Sequence, residues 1–263
     1  MTTFLVTNDD GVNSPMLPML VAQLQPLGTV RVVVPAHEQS WKGKAMTRFG
    51  SITARPHPIL ESEGFVVDGT PADCVNLGVH NLFDSRPDWV ISGINIGINA
   101  GLAFLLNSGT VGAAMEAALL GIPAVAYSQH VRYKAYEEWS SQGKVTSRQA
   151  LDEMQGAADW CGRLQKTITR NGLPKGADLI SVNFPFQPTQ KTRVSWAGLL
   201  INTYGQLFQP DRQGGFEHRF QGEMHQENGG LHDWEVVHRG EISVTPLSLQ
   251  GFSPTMNTPY VLE

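Results

Sequence analysis

Cysteine is nearly missing from this chain: 263 residues contain two, Cys74 and Cys161, and neither belongs to a C-x-x-C pair. That usage fits a reducing cytosol and excludes a Cys-based zinc site. Long hydrophobic runs are missing as well, with no stretch of roughly 18 apolar residues of the kind that spans a bilayer. At the N-terminus the acidic pair at residues 9 and 10 arrives before any apolar core of a signal peptide could form. The sequence therefore predicts a soluble, unexported, cytoplasmic protein with no membrane partner. Basic runs are lacking too. Lys plus Arg number 19 against 24 Asp plus Glu, a net charge of −5, which argues against a nucleic-acid duplex as partner.

Several catalytic signatures are missing: G-x-x-x-x-G-K-[ST], a G-x-G-x-x-G after the first strand, G-x-S-x-G and H-E-x-x-H. P-loop, dinucleotide, serine-hydrolase and zincin readings thus have no support. The histidines, at 37, 57, 80, 130, 218, 225, 232 and 238, show no metal-ligand spacing.

What is present alternates short β-branched runs with helical patterns, the mark of βα units and a largely parallel sheet. Strands are predicted at Phe4-Leu5-Val6-Thr7, Val30 to Val34, Phe65 to Val67, Asp88 to Ser92, Ile122 to Tyr127 and Leu179 to Val182. Helices are predicted from a Ser14-Pro15 start to about Gln25, from Pro71 to about Leu82 behind a Thr70 cap, from Val111 to Leu120, and from Ser147 to Arg170. Residues 35–50 form a polar, aperiodic loop too long for a mere connector. Residues 193–247 carry short strand-like runs between Gly- and Gln-rich stretches. The expected organisation is an α/β core over residues 1–190 and a β-rich, hairpin-containing extension over 191–263 that returns to the core near 241–250.

Chemistry-bearing residues fall at strand ends, where open α/β sheets place their ligands. Asn8-Asp9-Asp10-Gly11 ends the first strand, and at a turn permitted by Gly11 the two carboxylates converge and call for a cation. An Asp-rich turn satisfying its own backbone would look the same. Ser40, Lys42, Lys44, Thr47 and Arg48 give the 35–50 loop the hydroxyls and cations that a phosphate monoester needs, though a solvated loop carries similar residues. Asn95 and Asn99 follow the strand from Asp88, and a carboxamide oxygen suits Mg²⁺ or Mn²⁺ beside carboxylates. Asn107-Ser108-Gly109-Thr110 leads into the Ala-rich helix, whose N-terminus is either an anion site or a plain Ser-capped end. Glu116, in an otherwise apolar helix, is expected to be a partly buried structural carboxylate with a cationic partner.

The segments LVTNDDG (5–11), GTPADCV (69–75), SGIN (92–95) with Gly97 and Asn99, SGTVGAAMEAALLGIP (108–123) and ISVTPL (242–247) together resemble the SurE family of survival-protein nucleotidases. The likeness is dense over residues 4–128 and thin across 130–240. It implies a Rossmann-like three-layer core and a divalent-metal-dependent phosphatase acting on nucleoside 5′- and 3′-monophosphates. It also implies one divalent ion, Mg²⁺ or Mn²⁺, on Asp9, Asp10, Ser40 and Asn95, with Asp9, Asp10 and Asn95 as the catalytic residues and Asn99, Ser108, Gly109 and Thr110 around the phosphate. Homodimers or homotetramers with an exchanged C-terminal arm are implied as well. The chain departs from the family pattern in two places. Leu102-Ala103-Phe104-Leu105-Leu106-Asn107 stands where an acidic pair and Tyr usually precede Ser-Gly-Thr, and His37 and Trp41 flank Ser40 where Arg and Gly are usual. Trp41 is a candidate for stacking on a base or for capping its loop. The apolar 102–106 insertion is expected to cover either the nucleoside end of the site or a subunit interface. Broad-specificity acid phosphatase, nucleotide-sugar transferase and non-catalytic nucleotide-binding module are the alternative readings.

Overall fold

The structure is a computed structural model that describes residues 1–220, 224–226 and 231–252. In chain order its elements are β1 (Thr3–Thr7), α1 (Met16–Leu24), β2 (Thr29–Pro35), β3 (Ala54–Pro56), β4 (Glu63–Val67), α2 (Pro71–His80), β5 (Trp89–Ile96), α3 (Leu102–Asn107), α4 (Gly109–Leu119) and β6 (Ala124–Gln129). There follow α5 (Tyr133–Gln142), α6 (Arg148–Asn171), β7 (Leu179–Phe184), β8 (Val194–Trp196), β9 (Asn202–Tyr204), β10 (Phe208–Pro210), β11 (Phe216–His218), β12 (Met224–Gln226), α7 (Asp233–His238) and β13 (Ile242–Leu247).

Nine strands form one sheet in the order β3-β4-β2-β1-β5-β6-β7-β13-β8. From β4 to β7 every neighbouring pair is parallel. β13 runs antiparallel to β7, with Val244 opposite Val182, and β8 completes that edge parallel to β13. Residues 194–196 and 242–247 therefore lie in the main sheet, while β10 with β11 and β9 with β12 form two small antiparallel ribbons outside it. The part of the 191–263 extension at residues 221–223, 227–230 and 253–263 lies outside the described residues.

The alternation along β1 explains the layering, because successive side chains point to opposite faces. Phe4 and Val6 pack with Leu17, Leu20, Ile91, Tyr127 and Met154 on the α1 and α6 face. Leu5 packs with Val33, Val75, Val90, Ala113 and Ala117 on the α2 and α4 face. This is the Rossmann-like three-layer core predicted from the sequence. β1 is its hinge: the chain runs outward through β2 and β4 on one side and through β5, β6 and β7 on the other. The β1/β5 crevice is thus the topological switch point where a ligand site is expected. No helix of the described residues is long and apolar enough to cross a membrane.

Local expectations needed revision in two places. Ser14 does not cap α1; Pro15 occupies that position without a side-chain bond, because Ser14 is buried and its N–H closes a turn on the Gly11 carbonyl. The SGIN segment continues β5 instead of leaving it as a turn, paired to β6 across a register shift between Ser92 and Asn95. The 102–106 insertion is helical as α3, its first N–H bonded to the Leu200 carbonyl.

Candidate active site

The turn after β1 is built by its own residues. The Asn8 carboxamide accepts from Gly11 N–H at 3.1 Å and donates to the Gly11 carbonyl at 3.0 Å, and Gly11 takes φ +83°. This clip turns both following carboxylates inward, leaving Asp9 3% and Asp10 5% exposed. Asp9 accepts hydrogen bonds from the Thr110 hydroxyl and backbone N–H at the start of α4. Asp10 accepts from Ile96 N–H at 3.1 Å and from the Trp139 side chain.

Burial pushes the Asp9 carboxyl above its ordinary range, against the opposing pull of the Thr110 bonds. It pushes Asp10 up further, with the neighbouring Asp9 charge adding to it. Among the described residues no Lys, Arg or His forms an ion pair with either carboxylate. Two adjacent buried carboxylates without a cation are an electrostatic deficit, and their hard oxygens suit a divalent ion. Ser40 and Asn95 sit beside them. The Asn95 Nδ2 donates to the Gly97 carbonyl at 3.0 Å, which leaves Oδ1 as that side chain's ligand atom. The donor set therefore fits the ion that the resemblance implies.

Asp9, Ser40 and Asn95 line one cavity of about 230 Å³ together with Asn99, Asn107, Ser108, Trp41, Phe104, Phe220 and Trp234. Asp10 faces a second cavity with His37, Glu38, Trp139 and Ser40, so Ser40 stands between the two. Of the residues expected around a phosphate, Asn99 and Ser108 reach the first cavity. Asn99 is held by Ser128 Oγ at 2.8 Å and by a bond from its N–H to Asn183 at 2.8 Å. Ser108 Oγ caps α4 by accepting from Val111 N–H at 3.1 Å. Gly109 sits so close to Asp9 that a Cβ there would lie 2.8 Å from the Asp9 Cβ. Thr110 is fully buried and committed to Asp9.

The loop after β2 corrects one expectation. Lys44 and Thr47 turn away from the carboxylate pair. Lys44 Nζ meets Glu116 at 2.6 Å, which supplies the cationic partner expected for that carboxylate, and Thr47 Oγ1 donates to Asp73 at 2.7 Å. The physical reason is that α2 and α4 each offer a fixed acceptor, whereas open water offers none. Arg48 lies over the Phe49 ring, and Lys42 is exposed.

A family model described as "Survival protein SurE" matches residues 4–206. The chain belongs to the SurE family. It is 36% identical over 249 residues to a protein of Methanocella arvoryzae named 5′-nucleotidase SurE, covering 93% of this chain and 91% of that one. It is 40% identical over 256 residues to 5′-nucleotidase SurE 1 of Thermus thermophilus, with 93% and 91% covered. The crystal structure of the SurE protein from Aquifex aeolicus superposes with a TM-score of 0.73 at 30% identity, over 94% of this chain and 93% of that one.

Sequence reasoning missed several residues at this SurE site. Tyr136, on α5, borders both cavities, and burial together with the charges of Glu38 and Asp10 raises its phenol. Phe220 and Trp234 wall the first cavity from far along the chain. Asp233, fully buried, accepts backbone N–H bonds from Gly101 at 2.9 Å, Leu200 at 3.0 Å and Trp234 at 2.9 Å. The available signal was a run of aromatics within an otherwise polar Gln- and Gly-rich stretch, which no motif marks.

Proposed function

We propose that this protein is a divalent-metal-dependent phosphomonoesterase that hydrolyses nucleoside 5′- and/or 3′-monophosphates to nucleoside and phosphate. The observation that carries this reading is the uncompensated pair of buried carboxylates, Asp9 and Asp10, beside Ser40 and Asn95 at the sheet's switch point. Asp9, Asp10, Ser40 and Asn95 would hold one Mg²⁺ or Mn²⁺. When bound, such an ion supplies Lewis acidity that neutralises phosphoryl charge and acidifies water.

The remaining steps belong to the chain. The Ser108 hydroxyl and the second amide hydrogen of Asn99 donate to the phosphate oxygens, helped by the positive end of α4. Thr110 fixes Asp9 through its hydroxyl and N–H and thereby sets the angle at which that carboxylate meets the site. The wall of Trp41, Phe104, Phe220 and Trp234 keeps bulk water from the nucleoside end. Within the 191–263 extension, which returns to the core at β13, the ribbon of β10 and β11 outside the main sheet serves as the contact of a homodimer or homotetramer, a role supported by Phe208 and Phe216 standing 54% and 71% exposed on it. The enzyme works in the cytoplasm.

Phosphate release from AMP, GMP and 4-nitrophenyl phosphate, measured with Mn²⁺ and then with EDTA, tests the reading. Release that stops with chelation supports it; release undiminished by EDTA refutes the metal-dependent mechanism.

A further inference from the structure

The second cavity has a volume of about 330 Å³ and shares Ser40, Ile96 and Tyr136 with the first. Asp9 lines the first and Asp10 the second, so the carboxylate pair is reached from two directions. The two spaces differ in chemistry. Beyond its polar end the first is walled by aromatic rings, whereas Asn13, His37, Glu38 and Ser140 border the second around Asp10. Among the described residues that border carries two carboxylates and no Lys or Arg. Burial raises the Asp9 and Asp10 carboxyls and the Tyr136 phenol, and the Glu38 charge adds to all three. A phosphate group is therefore repelled from this side and has to enter through the first cavity.

The outer wall of the second cavity is α5, which contributes Tyr136, Trp139 and Ser140 and is fixed at both ends. Trp139 anchors the helix in the core, only 7% exposed. At the N-terminal end Arg132 meets Glu153 of α6 at 3.0 Å, and toward the C-terminal end Glu138 accepts from Thr146 N–H at 2.9 Å, just before α6. On the facing side the Glu38 carboxylate accepts from Ser40 N–H at 3.1 Å, which ties the loop after β2 between the two spaces. The result is a polar chamber, negative in field, that gives onto Asp10. A water takes about 30 Å³ of the liquid, so the chamber has room for roughly ten, and hydrolysis consumes one.

In-line displacement at phosphorus brings the nucleophile in opposite the leaving group. With the nucleoside leaving on the side of the first cavity, the second is the nucleophile's approach. We propose that this chamber admits an uncharged polyol in place of water, which makes the protein a phosphotransferase from nucleoside monophosphates to a small polyol as well as a hydrolase. The proposal rests on the phosphomonoesterase reading for its donor. Glu38, Asn13 and Ser140 offer the acceptors and donors with which a polyol's further hydroxyls pair. In the transfer, the P–O bond to the nucleoside breaks and its electron pair stays on the nucleoside oxygen. A P–O bond to the polyol oxygen forms, and the proton of that hydroxyl ends on the nucleoside, so the alcohol is the only co-reactant.

The test supplies AMP and Mn²⁺ with glycerol, methanol or glycerate at equal concentration and compares initial rates of adenosine and phosphate release. Adenosine in excess of phosphate counts transfer, and phosphorus NMR identifies glycerol phosphate. Transfer to glycerol should saturate and exceed transfer to either other alcohol by at least about tenfold, because methanol lacks the further hydroxyls and glycerate brings a like charge to Glu38. Ser140→Trp, at an exposed position of α5, should fill the chamber. It should cut the ratio of transfer to hydrolysis by at least about tenfold while phosphate release without acceptor stays within about twofold of wild type. Thermal melts identify a variant that fails to fold, in which case the wild-type acceptor series decides alone. Adenosine equal to phosphate at every glycerol concentration overturns the acceptor chamber and leaves hydrolysis standing. So does transfer that rises linearly, matches methanol and ignores Ser140→Trp. No adenosine release with or without alcohol refutes the phosphomonoesterase reading and the transfer together.

Discussion

Asp9 receives both the hydroxyl and the backbone N–H of Thr110, so its geometry is set by a helix terminus and not by its own flexible turn. Asparagine there keeps the shape and would remove one of the two anionic ligands proposed for the ion. Asp9→Asn should retain the fold and lose activity by orders of magnitude at saturating Mn²⁺, measured as phosphate release from AMP; a variant above about a tenth of the wild-type rate would remove Asp9 from the ion, since loss of even outer partners costs 10–100-fold. A second single-residue effect lies away from the site. His130 stacks on Phe186 at 3.7 Å, its Nδ1 is buried without a hydrogen-bond partner, and burial with the nearby His238 lowers its pKa to about 4. Between the ordinary value of 6.5 and about 4, the unfolded chain binds a proton that the folded chain refuses. This residue's contribution to stability is therefore complete above pH 6.5 and declines as the pH falls through that window. His130→Gln should show a smaller drop in Tm between pH 7 and pH 5 than the wild type does; equal drops would show that the imidazole is not the responsible group.

Helices and loops around the site are tied together, each time by one buried acid. Asp73 joins the capping box of α2 to Thr47, Glu116 joins α4 to Lys44, and Asp233 joins α7, the Leu200 segment and the start of α3. The two oxygens of Asp233 divide the work, one accepting from Leu200 and Trp234 and the other from Gly101. Asparagine would meet Gly101 N–H with an amide group and leave that donor unpaired, at a cost of about 1–3 kcal/mol. Asp233→Asn should lower Tm and raise KM for AMP several-fold with a smaller change in kcat, because α3 and α7 carry Phe104 and Trp234; a lower Tm with KM unmoved would make Asp233 purely structural. The α2 and α4 helices were legible in advance: Thr70 caps α2 through its side chain as expected, and Ser108 caps α4, one of the two readings its position allowed. The α3 and α7 helices were not. Each is six residues long, too short for a 3.6-residue period to declare itself, and each is held by backbone bonds to distant segments.

Across the whole molecule, the proposed ion site would span the β1/β5 crevice, with Asp9 and Asp10 from one strand end, Asn95 from the other and Ser40 from the loop after β2. An ion held by those residues would tie together segments that the unfolded chain leaves far apart. Mn²⁺ at about 100 times its Kd should therefore add roughly 2.7 kcal/mol of stability, seen as a rise of several degrees in Tm. Asp9→Asn should lose most of that rise, and a wild-type Tm indifferent to Mn²⁺ would refute an ion at this crevice. The sequence alone determined the βα alternation, the parallel core and the strand-end positions of Asp9, Asp10 and Asn95, because hydrophobic period, caps and turn residues act over a few residues. It also determined the family likeness, through motifs that are themselves local. Only the tertiary structure decided the partners of the polar side chains: that Lys44 and Thr47 serve α4 and α2, that Thr110 serves Asp9, and that Phe220 and Trp234 join Trp41 and Phe104 in one wall. Those choices depend on which donor lies nearest each acceptor after the sheet has closed and water has left. They are made between residues tens to hundreds of positions apart, where no local pattern reaches.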